Sequence, residues 1–209
     1  MKVLGIVLDR RMTFEKHVTM VARSCHYHAQ AIRHIRNLLS TELVLTLACS
    51  LKLTRLDYCN SLLNRSHTSS IQTLQRVQNN AARIVLQAPR QCHANPLLCQ
   101  LHWLPVRHRI NYKLAVMTYK IHNTGLPAYL SHHINPDRET TQTLRSSDTL
   151  LLTVSFTRTE LAKRAFRCSA PCVWNSLPSF ITNSSALTTF KSQLKTYFFC
   201  LPFDRSVYV

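Results

Sequence analysis

The chain has 209 residues, 45% of them hydrophobic, enough for a packed core and too many for a disordered chain. Lysine and arginine total 26 against nine acids, a formal charge of +17, which points to a polyanion partner, most simply RNA or DNA. Only two glycines occur and no G-x-x-x-x-G-K pattern exists, which excludes a P-loop and argues against a dinucleotide fingerprint or a many-turned β architecture.

Val3 to Leu8 reads as a short buried strand closed by Asp9-Arg10-Arg11. A lone strand has nothing to pair with, so the chain is expected to be the tail of something longer. Thr13 reads as the N-cap of a long helix, Phe14 to Leu39. Its apolar side would be Val18, Val21, Cys25, Ala29, Ile32, Ile35 and Leu39, with Lys16, Arg23, Arg33 and Arg36 opposite. Ser40 caps a second helix with Glu42 in its first turn, burying Leu43, Leu47, Leu51 and Leu56 and running on towards Tyr58 or Leu63. Asp57 follows Arg55 and suits a local ion pair or hydrogen bond. Ser69 and Ser70 cap a third helix reaching about Gln87, with Ile71, Leu74, Val77, Ala81 and Val85 on one face.

The opposite face of that helix carries Arg76, Gln78, Asn79, Asn80 and Arg83 and no acid. Amides and arginines contact phosphates and base edges without the repulsion a carboxylate brings; an ordinary solvated face is the alternative. Pro96 starts a short helix leading to Trp103. Pro105 sits at the first position of the next helix, where its missing N–H costs nothing. Arg107, His108 and Arg109 then put cations on a helix N-terminus that is already positive, an arrangement that favours a phosphate over self-stabilisation. The alternative is a core-plugging Trp103 with solvated arginines. Val106, Ile110, Leu114, Met117 and Ile121 mark the buried side, and Gly125 terminates the helix near Asn123.

Pro127 to Ile134 reads as one short helix and Asn135 to Asp148 as a linker or exposed loop. Leu150 to Phe156 has strand composition. Pro171, Trp174 and Pro178 mark an irregular packed segment. Ser185 caps a last helix whose stripe is Leu187, Phe190, Leu194, Tyr197 and Phe198. The fold expected is mainly α: a helical bundle with a short N-terminal strand and a small irregular or β-containing C-terminal part. Three regions follow: 1–12 as the end of a preceding domain, 13–125 as a helical domain, and 126–209 as an appendage.

Two-metal phosphoryl transfer needs clustered carboxylates. The acids here are scattered with no Asp-Asp pair, so the chain by itself is not expected to be an enzyme. There is no G-x-S-x-G elbow for a hydrolase. Cys92, His93, Cys99 and His102 have irregular ligand spacing, and Cys168 and Cys172 lack a second pair, so neither a metal nor any other cofactor is expected. The eight cysteines lack a secreted framework, no signal peptide is visible, and no apolar run is long enough for a membrane span. An intracellular location with reduced thiols is expected, nuclear and cytoplasmic residence being equally open.

Six stretches, in order, are similar to the C-terminal part of a LINE-type non-LTR retrotransposon reverse transcriptase of the jockey-like or chicken-repeat-like groups. They are Leu4–Asp9 with Phe14–His17, Arg55–Asn60, Leu74–Arg83, Leu101–Arg107, Leu144–Asp148 and Ala170–Pro178. The resemblance implies that Val3 to Leu8 ends a polymerase domain whose catalytic aspartates and endonuclease lie before Met1. It implies that the following helices are the thumb and the region beyond it. The partners implied are RNA, DNA and the missing polymerase portion. The expected function is non-catalytic binding of template RNA or target DNA, through Arg76, Gln78, Asn79, Asn80, Arg83, Arg107 and Arg109. The alternatives are an interaction module packing on a polymerase, or a decayed insertion without function.

Overall fold

A computed structural model describes residues 1–134 and 151–203. The linker expected over 135–148 lies outside the described residues. The chain is mainly helical, with one short antiparallel hairpin at its N-terminus. It divides into two compact units, Met1–Ile110 with Pro202 and Phe203, and Asn111–Leu201. That division falls inside a helix.

In the first unit, strands β1 (Lys2–Val3) and β2 (Ile6–Val7) pair with each other, Val3 opposite Ile6. The expected single strand is therefore a self-paired hairpin. Its two-residue loop, Leu4-Gly5, has both φ angles positive (46° and 82°), the requirement of a turn that matches strand twist. Leucine is a poor residue for that conformation, which hid the turn. The Tyr58 hydroxyl donates to the Leu4 carbonyl at 2.6 Å and holds the loop.

Helix α1 (Glu15–Ile35) follows. Thr13 is not its N-cap: Phe14 takes that position with left-handed backbone, and the Thr13 hydroxyl is bonded to Asp9. The buried stripe of α1 is Val18, Ala22, Cys25, Ala29 and Ile32, and the next step of the same spacing is Arg36. Arg36 is thus inside, 9% exposed, and not on the solvated side; Ile35 and Leu38 are the exposed residues there. Ser40 caps α2 (Thr41–Ala48) as expected, accepting from the Leu43 N–H.

The face of the second helix differs from expectation. A π-helical turn over Cys49–Leu53 joins α2 to α3 (Thr54–Asp57). Val44, Ala48, Lys52, Leu53 and Leu56 are buried, while Leu43 is 56% exposed. Helix α4 (Thr68–Val85) packs along α1 and buries Leu74, Val77, Ala81 and Val85. Its N-cap is His67, whose ring accepts from the Ser69 N–H, so Ser69 and Ser70 lie within the helix. Helix α5 (Ala94–Gln100) and the first turn of α6 (Val106–Thr124) complete this unit.

In the second unit α6 ends as expected at Gly125, whose φ of 66° terminates it. The short α7 (Ala128–Ser131) follows. Residues 151–156 form no strand; Leu152 is buried, with its N–H and C=O both bonded to the Asn175 side-chain amide at 2.9 and 2.8 Å. Short α8 (Glu160–Lys163) and α10 (Ser179–Thr182) flank α9 (Phe166–Asn175), a helix in place of the expected irregular segment, with Pro171 inside it. Ala186, not Ser185, is the N-cap of α11 (Leu187–Cys200), which buries Phe190, Leu194 and Phe198. Phe190 stacks on Tyr119 at 4.2 Å, and its ring centroid lies 6.0 Å from that of the buried Trp174.

Candidate nucleic-acid interface

The polar face of α4 is split by what its residues touch. Towards its N-terminal half the side chains are consumed internally. Gln78 is fully buried and donates to the Leu104 carbonyl at 2.8 Å. Gln75 donates to Gln78 and to Asn79, and its oxygen accepts the Val106 N–H at 2.9 Å. These amides bridge Pro105, which has no N–H of its own, and fix the Trp103-Leu104-Pro105 turn. Trp103 is 5% exposed and plugs the core beneath it. Gln78 therefore has no surface to offer a ligand.

The start of α6 differs from the expected phosphate site in the same way. One of its N-terminal N–H groups is already satisfied by Gln75. Arg109 makes a two-pronged ion pair with Asp57, Nε to Oδ1 at 2.7 Å and Nη2 to Oδ2. Asp57 also accepts from Asn60. Its partner is thus a residue far along the chain and not the adjacent Arg55. Arg107 remains exposed on this turn.

Towards the C-terminal end of α4 the picture reverses. A cavity of about 420 Å³ is lined by Arg33, Arg36 and Asn37 after the body of α1, by Asn80, Arg83, Ile84 and Gln87 of α4 and its end, and by Ala88, Pro89 and Arg90. Four arginines line it and no carboxylate does. Arg36 forms the floor: it donates to the carbonyls of Ile84 (3.0 Å), Val85 (2.8 Å) and Leu39 (3.0 Å) and to the Thr41 hydroxyl. It closes the carbonyl end of α4, where a cation also suits the helix dipole. Arg83 clamps the Cys92 carbonyl through Nε and Nη2 at 3.3 and 2.8 Å. Arg33 donates to Asn80 Oδ1 at 3.1 Å, linking α1 to α4. Arg90 is exposed and makes no hydrogen bond or ion pair among the described residues. Of the residues expected from the sequence, Asn80 and Arg83 lie here; Arg76 is exposed on α4, and Asn79 is half-buried and bonded to Gln75. Arg33, Arg36 and Arg90 were missed. For the first two the signal was the absence of any acid from residues 16–41, which carry Lys16, Arg23, Arg33 and Arg36.

One further cation is buried without any partner among the described residues. The Lys52 ammonium, 1% exposed, lies inside the first unit and makes no hydrogen bond. Burial pulls its pKa down to about 8. Burial likewise lowers His17, which is 5% exposed, and His108. Among the described residues no three His, Cys, Asp or Glu side chains converge as metal ligands, and all eight cysteines are free thiols. No described helix is long and apolar enough to cross a membrane.

Comparison of the chain with protein-family models, curated proteins and solved structures finds no match.

Proposed function

We propose that the chain is a non-catalytic nucleic-acid-binding region of a non-LTR retrotransposon reverse transcriptase, holding template RNA or target DNA. The ordered run of motif stretches supports the family. The binding role is carried by one observation: a cleft between α1 and α4 where four arginines meet and no carboxylate answers them. Arg76 and Arg107 are further exposed cations of the same unit. Cations without internal counter-charges neutralise phosphates and release condensed counterions, so affinity falls steeply with salt.

The test is a salt titration of the full chain against single-stranded RNA and duplex DNA. Replacing Arg76 and Arg107 by alanine is expected to reduce the slope of log affinity against log salt by about one for each phosphate left without its arginine. Thermal stability should be unchanged, since both side chains are exposed. Affinity that barely moves with ionic strength overturns the proposal and favours the second reading, an interaction module packing on a polymerase. The internal pairing of Arg109 and Gln78 supports that second reading, because it turns two expected contacts into scaffold.

A further inference from the structure

We infer that the cavity at the ends of α1 and α4 is a site for a phosphate monoester, the group carried by the 5′ end of a strand or by a free nucleotide. The site rests on the nucleic-acid reading above and gives it an end-group preference.

Charge decides between ligand and scaffold. Arginines at helix C-termini have a purely structural use, since they neutralise the exposed carbonyls. Two helix ends supply only about one negative charge between them, at roughly half a charge each. Four arginines line the cavity, and no acidic residue does. About three positive charges are left over. A phosphodiester carries one negative charge, whereas a monoester carries about 1.5 to 2 at neutral pH and three acceptor oxygens. The monoester is therefore the better match.

Donor geometry points the same way. Arg36 spends its Nε, Nη1 and Nη2 on Ile84, Leu39, Thr41 and Val85, so it contributes charge from a fixed position. Arg33 spends Nη2 on Asn80, and Arg83 spends Nε and Nη2 on Cys92, which leaves Nη1 of each unbonded among the described residues. Arg90 is wholly unspent. Fixed and free guanidinium groups around one concavity are what a preorganised anion site requires. A volume of about 420 Å³ falls in the range of small-ligand sites. A concave site also suits a chain end, because a diester brings a nucleotide on each side that must be housed too. Asn37 and Gln87, exposed residues of the lining, add amide donors and acceptors for a sugar or base edge.

The experiment measures full-chain binding, at one fixed salt concentration, to a single-stranded oligonucleotide bearing a 5′-phosphate and to the same strand bearing a 5′-hydroxyl. Adenosine monophosphate and inorganic phosphate serve as competitors. The phosphorylated strand should bind about tenfold more tightly. The double variant Arg33→Gln, Arg90→Gln should lower the affinity of both strands and bring them to the same value, erasing the preference. Arg90→Gln alone, at an exposed residue, should weaken the preference without affecting folding. Competition by adenosine monophosphate identifies a free nucleotide as a natural source; preference without competition identifies a strand end. Equal binding of both strands with no competition overturns the site and leaves the nucleic-acid reading standing. Failure to bind either strand overturns both.

Discussion

The two ends of the α4 polar face teach different lessons from similar residues. Gln75, Gln78 and Asn79 meet backbone groups and one another, and their hydrogen bonds close within the first unit. Asn80 and Arg83, little more than one turn further on, face Arg33, Arg36 and Arg90 across a cavity. An amide both donates and accepts, so a small group of amides can satisfy itself. A guanidinium only donates, and its charge persists after every N–H is bonded. Amides on a helix face are thus compatible with scaffold alone, whereas arginines gathered without acids leave a field that something else must answer.

The sharpest way to break the contrast is Arg36→Met, because Arg36 belongs to both sides of it. Removing it strips hydrogen bonds from three carbonyls, and stability should drop by about 4 kcal/mol in urea denaturation. Binding in the cleft should fall with it. A drop under about 1 kcal/mol would show that Arg36 is ligand surface and not floor.

Lys52→Met should have the next largest effect, with the opposite sign. At pH 7 Lys52 is charged in both the folded and unfolded chain, so the folded chain bears the full burial penalty. Its pKa of about 8, against an ordinary 10.5, makes that penalty about 3 kcal/mol at most. Lys52→Met should stabilise the chain by about that much at pH 7. As pH rises through about 8 the folded chain loses the proton while the unfolded chain keeps it to about 10.5. Native stability should therefore rise across that window, and the advantage of the variant should vanish above it. Equal stability of the two proteins at pH 7 would show that Lys52 is not penalised by its burial.

Gln78→Leu should cost about 2 kcal/mol, since it orphans the buried Leu104 carbonyl. Measured per folded molecule, nucleic-acid affinity should not change. A large loss of affinity at full folding would erase the division of α4 into scaffold and site.

Much of the architecture was legible from spacing. Ser40, Gly125 and the Phe190, Leu194, Phe198 stripe stand where capping and 3.6-residue periodicity place them. Arg36 was legible too: the step from Val18 through Ala22, Cys25, Ala29 and Ile32 lands on it, but its charge argued for solvent. The α2 face was not legible, because Leu43 and Leu47 are as apolar as the buried Val44 and Ala48 beside them, so composition does not choose between the two adjacent stripes. The hairpin was hidden by Leu4, a residue that rarely takes positive φ. The roles of Gln75, Gln78 and Arg109 depend on partners 31, 26 and 52 residues away, which no local pattern records. For the cleft, sequence supplied Asn80 and Arg83, while the opposing wall came from another helix.

The amide circuit across Pro105 has a consequence for isotope labelling. The Val106 N–H heads α6, a place where amide protons ordinarily trade quickly with solvent because the first helical turn offers them no carbonyl. Its acceptor is instead a side chain from the middle of α4. Deuterium uptake at that single amide thus waits on release of the Gln75 side chain, and Val106 reports whether α4 and the start of α6 stay joined.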